Sequence, residues 1–496
     1  MPGRPPFEGR VALAVAALTL LGAALRLHGL TTQSLWLDEC LSVEGAARPA
    51  RLILSYGDGE PPLYLLIVHG LLASGARSEW WLRLPAALAG TLAIPLAYAV
   101  GRRLEGRTVA LVAAALLTVN PLAVWFSQET RTYALVMLCA LAGTLAFLRV
   151  LHEGRFRDVA AYALAVWVGI GLHYYYVFVV AAHACLAVHD AVRYPAHRRR
   201  WLWAGLVTVA AVALWIPALI PDVAAQAAED SGRRFSFGTL PYTALTFVGG
   251  FSLGPALREL HSSVLGGSPT WPTIRAHLLA AGLAIGVVAM LGVQGLGGRR
   301  DRHAALTVLL VVLPIAGALA ASAVAVGYRP RYVLSALPFA LLWMARVSEP
   351  SLVRPGAALL VVLAMLELVG LAQRNLPEYV REDTRSAARW IAERRPDATV
   401  VLVGATSEGF RCYASPGQIL HAVFGNTVRD AATVAARLDA ELSGPRDVFL
   451  VASRPWTVDP AGRARAILDA HLVLREEADF PGVTVRWYAH HGEERS

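Results

Sequence analysis

The stretch LRLPAALAGTLAIPLAYAVGRRL, residues 82–104, decides the architecture of this chain. Between Arg83 and Arg102 it contains no charged residue, and a helix needs about 20 predominantly apolar residues to cross a bilayer. Arg102 and Arg103 then end the apolar run. Because basic residues concentrate on the cytoplasmic side of membrane spans, the stretch predicts a transmembrane helix whose C-terminal end faces the cytoplasm.

The composition of the whole chain agrees with an integral membrane protein. Of the 496 residues, 56% are hydrophobic and 16% are charged, too few charges to cover the surface of a soluble protein of this size. The formal net charge of +9 comes from arginine, since the chain contains no lysine. The arginines lie in short segments between apolar runs and form no basic face, so we expect no nucleic-acid partner.

Ten further apolar runs predict that the chain crosses the bilayer about eleven times. The predicted spans cover residues 11–30, 83–101, 108–125, 132–151, 158–172, 174–191, 201–220, 276–296, 304–326, 332–346 and 355–372. With a cytoplasmic N-terminus, the arginines of alternate loops, such as Arg103, Arg155, Arg199 and Arg300, all fall on the cytoplasmic side. The odd number of spans then places the C-terminal tail outside the cytoplasm.

That tail has a different character. The buried-strand patterns TVVLVG (399–404), DVFLVA (447–452) and VTVRWYA (483–489) alternate with amphipathic helical patterns, and charge becomes frequent. The alternation predicts a soluble extracytoplasmic α/β domain over 374–496, which follows a transmembrane domain over 1–373. Neither a G-x-G-x-x-G loop nor a Walker loop occurs in it, so nothing there indicates nucleotide binding.

Two of the four cysteines fall on the side predicted to be outward. Cys139 and Cys185 lie inside apolar runs, whereas Cys40 and Cys412 are both expected outside the cytoplasm. Spacing alone does not fix connectivity, so a Cys40–Cys412 disulfide and two free thiols both stay open.

One carboxylate lies inside a predicted span. Glu367 interrupts the apolar run 355–372 near its outward end. An ionisable residue in a span is a functional flag, but this position favours a side chain that snorkels toward the headgroups.

The predicted outward loops concentrate polar and aromatic residues. The first loop, 31–82, contains SLWLDE (34–39) and GDGEPPLYLL (57–66). Later outward loops contain SQETRTY (127–133), GLHYYY (171–176) and GYRPRY (327–332). Carboxylates, arginines and a histidine on one membrane face predict a site that works at the outer surface of the bilayer.

Five segments in order resemble a known enzyme family. They are SLWLDE, E-PPLYLL, LRLPAALAGTLAIPLAYAVGRRL, NPLAVWFSQETRTYAL and YRPRYVL, over residues 26–346. The chain resembles the polyprenyl-phosphate-sugar glycosyltransferases of the GT-C fold, in the protein mannosyltransferase-like branch that includes lipid A aminoarabinose transferase and the Rgt-type bacterial enzymes. The resemblance implies a multi-span α-helical GT-C membrane protein with its catalytic loop at 31–82.

The resemblance also implies a role for the acidic pair Asp38 and Glu39. Glycosyl transfer needs a base that takes the proton of the acceptor as the anomeric carbon is attacked. The family pattern implies that Asp38 is this base, and Glu39 beside it is the second catalytic candidate. A helix-capping or interfacial charge pair is the structural alternative.

A donor with a lipid phosphate would need cationic partners at the membrane surface. Arginine binds phosphate bidentately and stays charged, so Arg331 and then Arg131 are the leading candidates. The wider expected donor-binding set adds Arg329, Glu60, His173, Glu129 and Tyr133. The alternatives are a Glu129–Arg131 ion pair, arginines that only anchor the interface, and a buried hydrogen-bonded histidine.

A divalent metal ion is a further candidate ligand. Asp38, Asp58 and Glu60 together form the candidate set for Mg²⁺, Mn²⁺ or Zn²⁺, with a metal-free site as the alternative. Glu60 precedes Pro61 and Pro62, where an acid also stabilises a helix N-terminus by about 0.3–1 kcal/mol.

The function implied is transfer of a sugar, with inversion, from a polyprenyl-phosphate carrier to an envelope glycan, lipid or protein. The expected location is the outer face of a bacterial plasma membrane, with membrane lipids as further partners. The alternative is a transporter or flippase of lipid-linked glycans without transferase activity. A transporter should show ionisable or helix-breaking residues near mid-span and an internal repeat, and the sequence shows little of either.

Overall fold

The computed structural model of the protein describes residues 6–55, 61–218, 220, 239–256, 271–296, 302–324, 328–348, 353–404, 407–424, 447–459 and 461–490. Packing contacts divide the chain into two compact units. Unit 1 comprises Met1–Leu30, Val43–Gly254 and Leu279–Ala372, and unit 2 comprises Thr31–Ser42, Pro255–Leu278 and Gln373–Ser496. Unit 2 therefore includes residues 31–42, a short piece of the first loop predicted to face outward, together with the predicted C-terminal domain.

Up to residue 373 the described chain is helical. The helices are α1 Pro6–Leu27, α2 Leu37–Ala46, α3 Ala50–Ser55, α4 Pro62–Ala73, α5 Glu79–Leu104, α6 Arg107–Val119, α7 Pro121–Phe126, α8 Tyr133–His152, α9 Phe156–Leu172, α10 Tyr176–Arg193, α11 Arg198–Ala213, α12 Thr239–Gly249, α13 Trp271–Leu296, α14 Arg302–Val324, α15 Leu337–Ala345 and α16 Val353–Gln373. Short 3₁₀ segments occur at Pro195–His197, Pro330–Ala336 and Arg346–Ser348.

Within the described ranges every predicted span overlaps one or more helices, and these helices differ in length. Seven within the described ranges are long and apolar enough to cross a membrane, and α4 and α6 are shorter apolar helices. The predicted span 108–125 is divided at Asn120, whose Oδ1 accepts the N–H of Ala123 at 3.0 Å and so begins α7. The membrane-spanning helical architecture is confirmed, and the count of eleven spans stays a prediction.

The buried carboxylate of Asp190 joins three helices of unit 1. It lies at the end of these helices that the arginine pattern predicts to face the cytoplasm. Asp190 Oδ2 accepts a hydrogen bond from Trp201 Nε1 at 2.8 Å and lies 2.8 Å from His197 Nδ1. The same oxygen pairs with Arg200 Nη2 at 3.2 Å, and Oδ1 pairs with Arg302 Nη1 at 3.2 Å. One side chain thereby ties α10, α11 and α14 together.

Glu367 on α16 does not snorkel, so that expectation is wrong. Its side chain is fully buried, and Oε1 accepts a hydrogen bond from Asn120 Nδ2 at 2.7 Å. The same amide donates to the carbonyl of Phe247 at 2.7 Å. Asn120, at which the predicted span 108–125 is divided, thus gives Glu367 a hydrogen-bond partner inside the protein, and the Glu367 side chain does not extend toward the headgroups.

Unit 2 contains a five-stranded sheet in the order β2-β1-β3-β5-β4. The strands are β1 Thr399–Val403, β2 Ile419–Phe424, β3 Val448–Ala452, β4 Val473–Phe480 and β5 Val483–Ala489. Strands β2, β1 and β3 are parallel, whereas β5 runs antiparallel to both β3 and β4. The three strands predicted from buried patterns are confirmed. Strands β2 and β4 were not predicted, because they lie at the edges of the sheet and lack a continuous buried pattern. Strand β4 in particular is largely exposed and rich in charged residues.

In the part of the domain that the structure describes, two helices cover the sheet on opposite faces. On α17 (Thr384–Arg394), Ala388 and Ile391 pack in one core with Val400 and Leu402 of β1. On α18 (Arg463–His471), Leu468 packs in a separate core with the alternate residues of β1. Side chains alternate between the faces of a strand, so both faces of β1 are buried. The α/β class predicted for the tail is confirmed.

Candidate functional site

Two turns of unit 1 carry several of the predicted donor-binding residues. The turn 127–132 connects α7 to α8, and the turn 173–175 connects α9 to α10. Thr132 Oγ1 donates to the carbonyl of Leu172 at 2.9 Å, which fixes the first turn against the second. Residues 328–332 lead into a 3₁₀ segment that packs against the same region.

Arg131 and Arg331 converge on one aromatic ring. The guanidinium carbon of each lies 5.8 Å from the ring centroid of Tyr133, and that of Arg331 also lies 5.7 Å from the ring of Tyr332. Cation–π attraction stabilises each guanidinium, but two positive charges beside one ring repel each other. Both guanidinium groups therefore lie against the same side chain, and each carries a charge and a planar fork that suit a phosphate oxygen.

His173 lies within the same group of rings. Its ring centroid is 5.9 Å from that of Tyr133, 5.4 Å from Tyr175 and 5.5 Å from Tyr332. The backbone N–H of Tyr175 donates to Nδ1 at 3.2 Å, so the ring proton belongs on Nε2. Burial, followed by the charges of Arg131 and Arg331, lowers the pKa of His173 to about 3. His173 is therefore a neutral imidazole that can donate from Nε2 at physiological pH.

Glu129 and Arg329 lie beside this arginine–tyrosine cluster. Glu129 is buried, and its Oε1 accepts a hydrogen bond from Trp125 Nε1 at 2.8 Å. The Trp125 ring packs edge-on against Phe251, with centroids 5.5 Å apart. Arg329 is extended, and its carbonyl accepts the N–H of Tyr332 at 3.0 Å. Glu129 thus fixes the turn before α8 through Trp125. The backbone of Arg329 fixes the turn that contains Arg331, because its carbonyl binds the N–H of Tyr332.

The acidic pair begins helix α2, and both residues belong to unit 2. Glu39 is fully buried, and its Oε2 lies 3.1 Å from Arg381 Nη1. The same oxygen accepts a hydrogen bond from the backbone N–H of Trp36 at 3.3 Å. Asp38 is partly exposed as a residue, its Oδ2 is buried, and its backbone carbonyl accepts a hydrogen bond from Ser42 Oγ at 3.0 Å. Successive helical residues point about 100° apart, so burial of Glu39 directs Asp38 to another side.

The remaining predicted residues lie outside the described ranges. Asp58 and Glu60 fall in 56–60, so neither the donor role of Glu60 nor the metal set with Asp38 has a described geometry. Within the ranges that are described, no group of three or more His, Cys, Asp or Glu side chains is arranged to hold a metal ion.

Sequence reasoning did not identify four residues that shape these sites. Trp125, Tyr175 and Tyr332 lie inside the motifs NPLAVWFSQETRTYAL, GLHYYY and GYRPRY, and the aromatic residues of these motifs are a usable signal. Arg381 carried no signal, because its partner Glu39 lies 342 residues away in the chain.

Comparisons with known proteins agree with this architecture. The sequence profile of the family described as dolichyl-phosphate-mannose-protein mannosyltransferase matches residues 59–220. Among curated proteins, none matches the sequence.

Solved structures match over almost the whole chain. The structure of ArnT from Cupriavidus metallidurans bound to undecaprenyl phosphate has a TM-score of 0.58 at 13% identity, covering 97% of this chain and 98% of that one. The archaeal oligosaccharyltransferase AglB from Archaeoglobus fulgidus, in complex with an inhibitory peptide and a dolichol-phosphate, has a TM-score of 0.57 at 12% identity, covering 99% and 75%. The resemblance found in the sequence is confirmed, and the chain has the GT-C fold.

Proposed function

We propose that this protein of GT-C fold is a membrane glycosyltransferase that transfers a sugar from a polyprenyl-phosphate carrier to an acceptor outside the cytoplasm. The observation that carries the proposal is the placement of Arg131 and Arg331 on the ring of Tyr133, beside a neutral His173. The matched structures of similar fold hold undecaprenyl phosphate and a dolichol-phosphate. Both ligands are polyprenyl-type phosphates, the class of carrier that the proposed donor would have after it has lost its sugar.

The arginine–tyrosine cluster supplies what a phosphate leaving group requires. As the bond between the anomeric carbon and the phosphate oxygen breaks, that oxygen keeps the electron pair, and negative charge builds on the phosphate. Guanidinium groups held in place before the reaction stabilise this charge without reorganisation. The neutral His173 can donate one hydrogen bond from Nε2 to a phosphate or sugar oxygen, and the partly exposed ring of Tyr332 lies beside it.

The second half of the proposed reaction is removal of the acceptor proton. The acceptor oxygen or nitrogen forms a bond to the anomeric carbon from the face opposite the phosphate, and its proton passes to the Asp38 carboxylate. A single displacement of this kind inverts the anomeric configuration and needs one base. The sequence resemblance assigns Asp38 to this reaction, and Asp38 lies in the first turn of α2. Glu39, buried against Arg381, is then a positioning residue.

The proposed location is the plasma membrane of a bacterium, with the N-terminus in the cytoplasm and the C-terminal domain outside. The arginine pattern of the loops supports this orientation. The acceptor class proposed is an envelope glycan, lipid or protein. A flippase for lipid-linked glycans is the competing function, because it too would bind a lipid phosphate through arginines.

The test is donor specificity of the purified protein in detergent or nanodiscs. We expect sugar transfer from a polyprenyl-phosphate sugar and none from UDP- or GDP-sugars, since the described residues supply a cluster suited to a single phosphate. Arg331→Lys, which keeps the charge but loses the planar fork, should raise the KM for the donor about tenfold. Arg155→Lys, on an exposed residue paired with Glu153, is the matched control.

The outcomes separate the two functions. Turnover with a nucleotide sugar alone would overturn the donor assignment. Movement of the lipid-linked sugar across a proteoliposome bilayer, without any transfer product, would replace the transferase by the flippase.

A further inference from the structure

We infer that the C-terminal α/β domain has the function of holding the segment 31–42, and with it Asp38, through a disulfide and a buried ion pair. This inference rests on the proposed function, because Asp38 is the base proposed there. Segment 31–42 and the domain belong to the same compact unit, and each contact used below lies inside that unit.

The first tie is covalent. Cys40 and Cys412 form a disulfide, with their Cα atoms 5.8 Å apart, although 372 residues separate them in the chain. Cys40 lies two residues after Asp38 on α2, and Cys412 lies in the 3₁₀ segment Ser407–Tyr413 that follows β1. A cross-link of such long loop length restricts the unfolded chain strongly and keeps the first turns of α2 beside the domain.

The second tie is ionic and buried. Glu39 Oε2 and Arg381 Nη1 are 3.1 Å apart, with side-chain exposures of 0% and 9%. The Arg381 guanidinium also lies 5.9 Å from the Trp36 ring. Removal of one partner from a buried pair leaves an uncompensated charge, so Glu39 and Arg381 hold each other firmly. Asp38 is thereby followed directly by two anchored residues, Glu39 and Cys40.

Hydrogen bonds fix the chain just before Asp38. The Leu35 N–H donates to the hydroxyl of Tyr413 at 2.6 Å, and Ser34 Oγ donates to the carbonyl of Glu382 at 2.7 Å. Arg385 donates to the carbonyls of Thr31 and Thr32 at 3.0 and 3.2 Å. The segment is therefore held along its length.

The position of these ties on the sheet is informative. Tyr413 and Cys412 follow the carboxyl end of β1, and Glu382 binds Arg454, which follows the carboxyl end of the parallel strand β3. Open α/β sheets bind their ligands at the carboxyl ends of parallel strands. Here that edge receives a segment of the protein's own chain, so the domain uses its ligand-binding edge to position a reactive loop.

The covalent tie is tested first by counting thiols. Denatured, unreduced protein should react with PEG-maleimide at Cys139 and Cys185 only, and reduction should expose Cys40 and Cys412 as well. Four reactive thiols before reduction, in protein exported to its membrane, would overturn the covalent part of the inference.

The positioning role is tested with the double variant Cys40→Ser/Cys412→Ser and with Arg381→Gln. We expect kcat to fall about 10- to 100-fold while the KM for the donor changes less than about twofold, since loss of alignment lowers turnover without removing the phosphate ligands. Arg381→Lys should recover part of the loss. Arg394→Gln is the matched control, because Arg394 pairs with the exposed Glu476 elsewhere on the same domain.

Hydrogen exchange supplies a readout that needs no substrate. The Cys40 amide is bonded to the carbonyl of Trp36 at 3.0 Å, so peptides covering 36–42 should be protected in the wild type. Their exchange should accelerate at least about tenfold in the double serine variant and in Arg381→Gln, but not in Arg394→Gln. Unchanged exchange and unchanged kcat would overturn the inference. Altered exchange in a protein that never transfers sugar would instead reject the proposed function and leave the holding role standing.

Discussion

Replacing Asp38 by Asn separates the proposed base from its neighbour. Asn keeps the shape of the side chain but removes its charge and its basic oxygen. General-base catalysis contributes about 10²–10⁴-fold, equivalent to about 3–5 kcal/mol of barrier, so turnover should fall by that factor. The hydrogen bond from Ser42 reaches the backbone carbonyl of Asp38 and survives the substitution. Loss of an acid from the first turn of α2 costs about 0.3–1 kcal/mol.

Glu39→Gln should lower stability more, and turnover less, than Asp38→Asn does. The amide can still accept the Trp36 N–H, but the buried guanidinium of Arg381 loses its counter-charge. Breaking a buried ion pair by removing one partner costs about 3–5 kcal/mol, which should appear as a lower unfolding midpoint. The assay measures transfer from a polyprenyl-phosphate sugar and thermal unfolding on the same detergent preparations. A stable, inactive Glu39→Gln together with an active Asp38→Asn would refute the assignment of the base.

Three further outcomes are expected. His173 has a pKa of about 3 in the folded protein and of about 6.5 in the unfolded chain. The free energy of unfolding that depends on neutral His173 is therefore fully present above pH 6.5 and is lost as the pH falls toward 3. Between pH 7.5 and pH 5 the wild type should lose about 1–2 kcal/mol more stability than His173→Gln. Asp190→Asn should destabilise the protein by about 1–3 kcal/mol in thermal unfolding, because two arginines lose the carboxylate that they share. Arg155→Gln, which breaks an exposed ion pair, should cost almost nothing. An introduced Ser74→Cys should react with an impermeant thiol reagent on intact cells and Arg155→Cys should not; the opposite labelling would reverse the proposed orientation.

The membrane helices were predictable because burial in lipid imposes one requirement on every span. A helix must present about 20 apolar residues to the hydrocarbon, and arginine marks its cytoplasmic end. The α/β tail was predictable where a strand is buried on both faces, as β1 and β3 are, since such strands have continuous apolar sequences. Edge strand β4 lacks that signal, because exposure on its free edge permits charge.

The candidate site was predictable in its residue types and less so in its partners. The pattern Y-R-P-R-Y predicted an arginine for the donor, but a pattern cannot show that Arg131 and Arg331 share the ring of Tyr133. Nor could it show that Glu367 accepts a hydrogen bond from Asn120, 247 residues earlier in the chain. Such pairings depend on how helices pack against one another, and local sequence patterns carry no record of this packing.

The Asp38–Glu39 pair illustrates why adjacent acids in a motif need not share a role. In the sequence they are equivalent candidates, one residue apart at the start of a helix. Helical geometry points them in directions about 100° apart, so only one can lie against the α/β domain. Glu39 occupies that position with Arg381, and the disulfide at Cys40 adds a second anchor one residue later. A screen that scores only lost activity would find both acids essential. Measuring stability and exchange alongside turnover distinguishes the residue that reacts from the residue that holds it.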